Sequence, residues 1–95
     1  MDLLLTYDIA THDRPGERRL RRVAKIAEGH GMRVQYSVFE LVLDPYEVPG
    51  LLHQLERVID NAQDNIRIYR LGSARPMAIL GRQRDLTTTR GPLIL

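Results

Sequence analysis

Along the first 71 residues, segments in which every second residue is apolar alternate with segments whose apolar residues have helical spacing. The order of these segments constrains the fold more than any other feature of the sequence. Strand-like, period-two segments cover 2–9, 32–43 and 65–71, and apolar stripes at helical spacing cover 16–29 and 51–62. Two helices alternating with strands in this order are typical of a β-α-β-β-α-β sandwich, with both helices on one face of an antiparallel sheet. We therefore predict an α+β, ferredoxin-like domain.

The boundaries of the middle elements are less defined. Residues 32–43 are long for one strand, so we expect a bend, a bulge or a split into two strands, at a point the sequence does not reveal. Asp44 and Pro45 resemble an N-cap and a first helical residue, and Glu47 stands where a capping box requires it. Pro49 offers a later start for the same helix.

The last third of the chain extends this pattern. Residues 77–81, MAILG, predict a short extra strand, and residues 91–95, GPLIL, form an apolar end. Exposed apolar segments and strand edges are usually covered. We therefore predict one domain over residues 1–95, in which residues 72–95 form a C-terminal strand and tail that contacts a second copy or another partner.

The amino-acid composition limits the cellular compartment in which we expect the protein and the kinds of covalent and metal sites that it can form. The chain has no cysteine, which excludes disulfides and thiolate metal sites and suits the cytoplasm. No segment approaches the roughly 18 apolar residues of a membrane span, and the apolar start MDLLL is too short for a signal peptide. We expect a cytoplasmic protein without a membrane partner.

Charge is segregated along the chain although the formal net charge is only +2. Residues 14–33 carry seven basic and two acidic side chains, and residues 66–95 carry six basic and one acidic. Residues 34–65 carry one basic and six acidic side chains. A basic face is a candidate phosphate-binding surface, although solvated helices are also commonly charged.

Asp8 is the candidate catalytic residue, because it interrupts an otherwise apolar strand. Mg²⁺ is commonly held by one or two carboxylates plus water. One Asp8 from each copy of a twofold dimer would supply two carboxylates, and a metal there would assist phosphodiester hydrolysis. The alternative is structural, with Asp8 capping the turn that follows through Thr11 or Asp13.

A basic run on the first helix is the candidate nucleic-acid surface. Like charges three and four residues apart repel each other, so a helix that carries them is expected to meet phosphates or acids elsewhere. The alternative is a solvated face. A second basic group occupies the strand and tail after residue 66. The helical run comprises Arg18, Arg19, Arg21, Arg22 and Lys25.

Aromatic and histidine side chains give weaker signals. Tyr36 and Phe39 are able to stack on bases, but their apolar neighbours favour a place in the core. His12 lies four residues after Asp8 and is a candidate to assist a metal-bound water. Histidine spacings typical of metal sites are absent from the sequence, as are P-loop, GxSxG and GxGxxG motifs.

Four segments together resemble the small CRISPR-associated Cas2 family. RVQYSVFE at 33–40 is similar to a signature of that family, and YDI at 7–9 resembles its first strand. RRVAKIAEGHGMRVQYSVFE at 21–40 resembles its first helix and second strand. DNAQDNIRIYRL at 60–71, with Asp60 and Asp64, resembles the end of its second helix and its fourth strand.

The resemblance implies a ferredoxin-like homodimer whose sheets face each other, with Asp8 and its copy near the twofold axis. It implies that these aspartates bind Mg²⁺, or Mn²⁺ in its place, in an endonuclease acting on DNA or RNA. It also implies a central place in the spacer-acquisition complex with the partner integrase family, Cas1. By position, Tyr7, Arg22, Arg33 and Phe39 match family residues near the site, whereas Leu20 stands where some relatives have arginine.

Two functions therefore follow from the residues taken together with this resemblance. The first is a metal-dependent endonuclease with Asp8 as metal ligand and Arg22 and Arg33 positioning phosphate. The second is a non-catalytic dimeric adaptor that binds the duplex backbone and bridges integrase dimers. The sequence does not distinguish a DNA substrate from an RNA substrate.

Overall fold

A computed structural model describes residues 1–73 and 75–82 of the chain. Within these residues, five strands and two α-helices follow one another, with one 3₁₀ turn, Pro45–Glu47, before the second helix. The order confirms the predicted alternation. The elements are β1 (Asp2–Asp8), α1 (Arg14–Glu28), β2 (Gly31–Gln35), β3 (Val38–Val42), α2 (Val48–Val58), β4 (Asn65–Arg70) and β5 (Pro76–Gly81).

The strands form one antiparallel sheet in the order β2-β3-β1-β4-β5, with β1 at its centre. This arrangement confirms the ferredoxin-like, α+β prediction. The predicted extra strand is also present, and β5 pairs with β4 of the same chain. The apolar segment 91–95 lies outside the described residues, and contact of residues 72–95 with a second copy or partner stays a prediction.

The hydrophobic core lies between one face of the sheet and the two helices. Burial alternates along β1 and β4, so every second side chain points to this core. The helical stripes predicted from the sequence supply the other half, because Val23, Ala24 and Ala27 of α1 are buried and Leu20 packs against them. Strand residues at the centre of the core are Leu3, Leu5, Phe39, Leu41, Ile66 and Ile68.

Asp13 is the N-cap of the first helix. Asp13 has extended backbone geometry, and its side chain accepts a hydrogen bond from Gly16 N at 2.8 Å. The helix therefore starts at Arg14, two residues before the predicted start, and Pro15 fits in its first turn.

Residues 32–43 divide into two strands. β2 and β3 are joined by a turn at Tyr36 and Ser37, and their register shifts between Arg33 and Gln35. The core position favoured for Tyr36 was wrong, because the turn leaves its side chain 92% exposed. The core position of Phe39 is confirmed, since its side chain is fully buried.

The second helix is preceded by the predicted cap. The Glu47 carboxylate accepts a hydrogen bond from Asp44 N at 2.9 Å, and the α-helix proper begins at Val48. It ends at Val58 because Ile59 is already extended, so Ala62 is exposed rather than part of the buried stripe. Within the residues described, neither helix is long and apolar enough to span a membrane.

Candidate active site

Asp8 is the last residue of β1 and is exposed to solvent. Because side chains alternate along a strand, Asp8 points away from the core, on the same face as Leu4 and Thr6. The helices cover the opposite face, so this second face of the sheet is the open face. Asp8 therefore stands at one end of the central strand, on the side from which another molecule can approach.

Arg67 shares the open face with Asp8. In the antiparallel register Thr6 is opposite Arg67, and Asp8 is opposite Asn65. Arg67 is therefore the diagonal neighbour of Asp8, a relationship that typically separates two residues by about 7–8 Å. The sequence placed Arg67 only in the second basic group, because its proximity to Asp8 depends on the pairing register of β1 and β4.

One chain offers few ligands for a metal ion. Among the residues that the structure describes, no group of three or more His, Asp or Glu side chains is arranged to hold one. His12, the candidate helper, is exposed, and its Nε2 lies 3.6 Å from Asp13 Oδ2. A single Asp8 carboxylate would therefore need further ligands, such as water or groups from a second copy of the chain, to hold a divalent cation, and metal binding by Asp8 stays a prediction.

Tyr7 and Phe39 lie on the core side of the sheet, opposite to Asp8. Their rings stack with centroids 6.2 Å apart, and the Tyr7 hydroxyl donates a hydrogen bond to Tyr36 O at 3.1 Å. Burial raises the pKa of the Tyr7 phenol, and the nearby Arg33 guanidinium partly opposes that shift. Any influence of these two rings on Asp8 must pass through the backbone of β1 and β3, and their predicted proximity to a site stays a prediction.

Arg33 connects this aromatic pair to the end of α1. Its guanidinium carbon lies 5.2 Å from the centroid of the Phe39 ring, and its Nη2 lies 4.0 Å from Glu28 Oε1. The side chain remains 45% exposed, so it is able to contact a phosphate from solvent. Phosphate contact by Arg33 stays a prediction.

The basic run on α1 does not act as one unit. Arg18, Arg21, Arg22 and Lys25 are exposed along the helix, as the phosphate-binding prediction requires. Arg19 departs from them, because its side chain is only 14% exposed and its Nε donates to the buried Asp64 at 2.8 Å. We therefore remove Arg19 from the candidate phosphate surface, and the assignment of the other four stays a prediction.

Asp64 is the residue that the sequence did not single out for a role. It is fully buried, and within the described residues it is the only charged side chain that is. Besides Arg19, its carboxylate accepts hydrogen bonds from the backbone N–H groups of Ala10 and Asp60, at 3.0 and 2.9 Å. A carboxylate between an apolar helix end and a strand was the available signal, but two of its three donors, Ala10 and Arg19, lie 54 and 45 residues away in sequence.

Residues 1–77 match the family model described as CRISPR associated protein Cas2. This chain belongs to the CRISPR-associated Cas2 family. The resemblance seen in the sequence is thereby confirmed.

Curated Cas2 relatives include a CRISPR-associated endoribonuclease of Nitratidesulfovibrio vulgaris, 47% identical over 77% of this chain and 72% of its own length. A CRISPR-associated endonuclease of Halalkalibacterium halodurans is 45% identical over 77% of this chain and 76% of its own length. A third relative, an endoribonuclease of Rhodospirillum rubrum, is 43% identical over 98% of this chain and 99% of its own length.

Solved structures agree with the Cas2 fold. The crystal structure of Streptococcus pyogenes Cas2 at pH 6.5 superposes with a TM-score of 0.72 at 46% identity, covering 76% of this chain and 87% of that one. A hypothetical protein of Thermus thermophilus superposes with a TM-score of 0.67 at 28% identity, covering 88% and 96%.

Proposed function

We propose that this Cas2-family chain is a divalent-metal-dependent endonuclease that hydrolyses phosphodiester bonds of DNA or RNA, and that Asp8 is its metal ligand. The observation that carries the proposal is the position of Asp8, exposed at the end of the central strand on the face that no helix of the described chain covers. Relatives named as an endoribonuclease and as an endonuclease, both above 40% identity, support the same chemistry.

The active form in this proposal is a homodimer formed through the open face. Apolar side chains on that face support it, since Met32 and Val42 are each 71% exposed, and Leu4 is half-buried at its centre. Bringing two such faces together about a twofold axis near Asp8 would place two carboxylates side by side. Two carboxylates and water satisfy Mg²⁺ or Mn²⁺, and facing carboxylates without a cation would repel each other.

The residues of the site then have separate tasks. A divalent cation, if held there, would supply an activated water and stabilise the charge that develops on the phosphate. Asp8 holds the cation, and Arg67, its diagonal neighbour, contributes positive charge on the same face. Arg22 and Arg33 lie on the helix side of the sheet, and in this proposal they position the nucleic acid by binding its phosphate backbone away from the cation.

The biological setting in this proposal is spacer acquisition, in which the dimer works with the partner integrase family Cas1. Membership of the Cas2 family supports this setting. Residues 72–95 are proposed to contribute to the contact with the second copy or with the integrase.

The test is a cleavage assay on labelled double-stranded DNA and single-stranded RNA with Mg²⁺, Mn²⁺ or EDTA. We expect the wild type to cut one of these substrates only with metal, and Asp8→Asn to lose cutting. The matched control is Asp2→Asn, which neutralises an exposed carboxylate on the same strand and the same face, about 20 Å away at the other end of β1. Equal cutting by wild type and Asp8→Asn would contradict the proposal.

A second candidate function is a non-catalytic adaptor that holds duplex DNA and bridges integrase dimers. It is favoured by the exposed basic face of α1, formed by Arg18, Arg21, Arg22 and Lys25. Binding by such a face is independent of base sequence and weakens steeply with salt. Duplex binding that follows this pattern, together with no cutting under any metal, would select the adaptor.

A further inference from the structure

The buried carboxylate of Asp64 gathers three donors from three separate parts of the fold. Its Oδ1 accepts from Ala10 N at 3.0 Å, and its Oδ2 accepts from Asp60 N at 2.9 Å and from Arg19 Nε at 2.8 Å. Ala10 follows β1, Arg19 lies on α1, and Asp60 follows α2. The Arg19–Asp64 pair therefore ties the segment that leaves Asp8 to both helices.

Ala10 is held on more than one side. While its N–H donates to Asp64, its carbonyl accepts from Arg19 Nη2 at 3.4 Å. Gly16 of α1 packs so closely on the same carbonyl that a Cβ at this position would overlap it. The backbone of Ala10 is thus fixed at both its N–H and its C=O, two residues from Asp8.

The backbone carbonyl of Asp64 also contacts the end of β5. Its carbonyl accepts from Arg82 N at 2.7 Å, and Gly81, with a φ of +84°, packs against the same oxygen too tightly for a side chain. One residue therefore connects the segment after Asp8, the first helix and the end of the fifth strand.

A buried ion pair usually adds little to the net stability of a fold. Desolvation of the two charges offsets much of their attraction, and well-packed apolar residues often stabilise a fold as well or better. A hydrogen-bonded carboxylate instead holds each of its donor groups in a defined position and orientation. Metal sites need this kind of fixation, because ligands must be held to within a fraction of an ångström.

From this arrangement we infer that Arg19 and Asp64 are positioning residues for Asp8, acting through the backbone of Ala10. The inference rests on the proposed role of Asp8 as a metal ligand. Arg19 and Asp64 do not touch the metal or the substrate in this account. They determine where the Asp8 carboxylate stands, and hence how well two copies share one cation.

The test compares Arg19→Gln with two other variants. Arg19→Gln removes the charge and the forked donor, Arg19→Lys keeps the charge only, and Leu41→Val is a control that loosens the core. Leu41 is paired with Leu3, at the far end of β1 from Asp8. The first measurement is the affinity for Mn²⁺ by titration calorimetry at a temperature where all variants are folded. The second is the set of amide chemical shifts of Asp8, Ile9 and Ala10 without metal.

We expect Arg19→Gln to weaken Mn²⁺ binding by roughly tenfold, the size of effect seen when outer partners of metal ligands are removed. Leu41→Val should stay within about twofold of the wild type, and Arg19→Lys should lie between. The amide shifts of Asp8 and Ala10 should move in Arg19→Gln and not in Leu41→Val. Wild-type Mn²⁺ affinity in a folded Arg19→Gln protein would overturn the inference.

The two readouts separate this inference from the proposed function. If the wild type binds no Mn²⁺, the metal proposal fails, and the amide shifts alone then decide whether Arg19 positions Asp8. Unchanged shifts in Arg19→Gln would overturn the positioning role. If Arg19→Gln does not fold, Asp64→Asn, which retains one acceptor oxygen and the shape of the side chain, replaces it in both measurements.

Discussion

Arg19 Nε lies 2.8 Å from the Oδ2 atom of the fully buried Asp64, and this contact divides the arginines of α1 into two kinds. The hydrogen bond to Asp64 raises the pKa of Arg19, which keeps its guanidinium charged. The neighbouring arginines on the same helix face solvent. A run that looks uniformly basic in the sequence therefore combines one inward-facing arginine with exposed basic side chains, which we propose bind phosphate.

The salt dependence of duplex binding should reveal this division. Each phosphate contact contributes about one to the slope of log affinity against log salt. We expect Arg22→Gln to reduce that slope by about one, and Arg19→Gln to leave it unchanged, because its charge is turned inward. Filter binding across a salt series measures the slope. The charge-matched control is Arg57→Gln, on the exposed side of α2.

A reduced slope for Arg19→Gln equal to that of Arg22→Gln would contradict this division. It would mean that Arg19 leaves Asp64 to contact DNA.

Loss of the Asp64 carboxylate should destabilise the whole fold. Asp64→Ala leaves the backbone N–H groups of Ala10 and Asp60 without an acceptor, as well as Arg19 without its partner. An orphaned buried donor costs about 1–3 kcal/mol, so we expect the free energy of unfolding to fall by roughly 2–4 kcal/mol. Urea unfolding followed by circular dichroism measures it.

The comparison variant is Asp44→Ala, which removes an exposed carboxylate from the turn before α2. Its effect should be about 1 kcal/mol or less, within the usual range for an exposed helix cap. Similar losses for both variants would show that the buried network contributes little.

The pH dependence of stability should carry a contribution from Tyr7. Because burial raises the pKa of its phenol in the folded chain, the unfolded chain loses this proton first as pH rises. The contribution is therefore complete below about pH 10, the ordinary phenol range, and is lost as pH rises through the higher folded pKa. We expect Tyr7→Phe to make the alkaline loss of stability shallower.

Denaturant midpoints measured across the alkaline range test this expectation. Tyr46→Phe is the matched control, because it removes the same hydroxyl from a tyrosine that is 80% exposed. At neutral pH, Tyr7→Phe should cost about 0.5–1.5 kcal/mol, because the hydrogen bond to the Tyr36 carbonyl is lost. An alkaline profile identical to that of the wild type would contradict the role of Tyr7.

The proposed dimer makes its own prediction at Thr6. This residue is two positions from Asp8 on the same face, so any twofold contact that brings two Asp8 side chains to one cation must bury it. Thr6→Arg should therefore convert the dimer to a folded monomer, measured by sedimentation equilibrium. Gln54→Arg, on an exposed position of α2, should remain dimeric. A stable Thr6→Arg dimer would place the interface elsewhere.

The order of the elements and the core residues followed from periodicity, because alternation in β1 and the stripe on α1 report directly on which side chains are buried. Local caps were also readable, as Asp44 and Glu47 show. Tyr36 was misplaced because a bulge and a two-residue turn reset the alternation between β2 and β3. The length of residues 32–43 indicated that such an irregularity exists, but the periodicity does not locate it.

The candidate site was only partly readable for a related reason. Asp8 stood out because a carboxylate interrupts an apolar strand. The position of Arg67 depends on the register of β1 against β4, and the role of Asp64 depends on donors 54 and 45 residues away in sequence. Contacts of this kind are set by tertiary packing, so composition and spacing do not reveal them.

The most direct test of the central claim, that two Asp8 carboxylates share one divalent cation, is the stoichiometry of Mn²⁺ binding. Titration calorimetry on the purified protein, with its oligomeric state measured in the same buffer, gives the number of ions per chain. We predict one Mn²⁺ site per two chains, lost in Asp8→Asn and retained in Asp2→Asn. Binding that is unchanged in Asp8→Asn would contradict it.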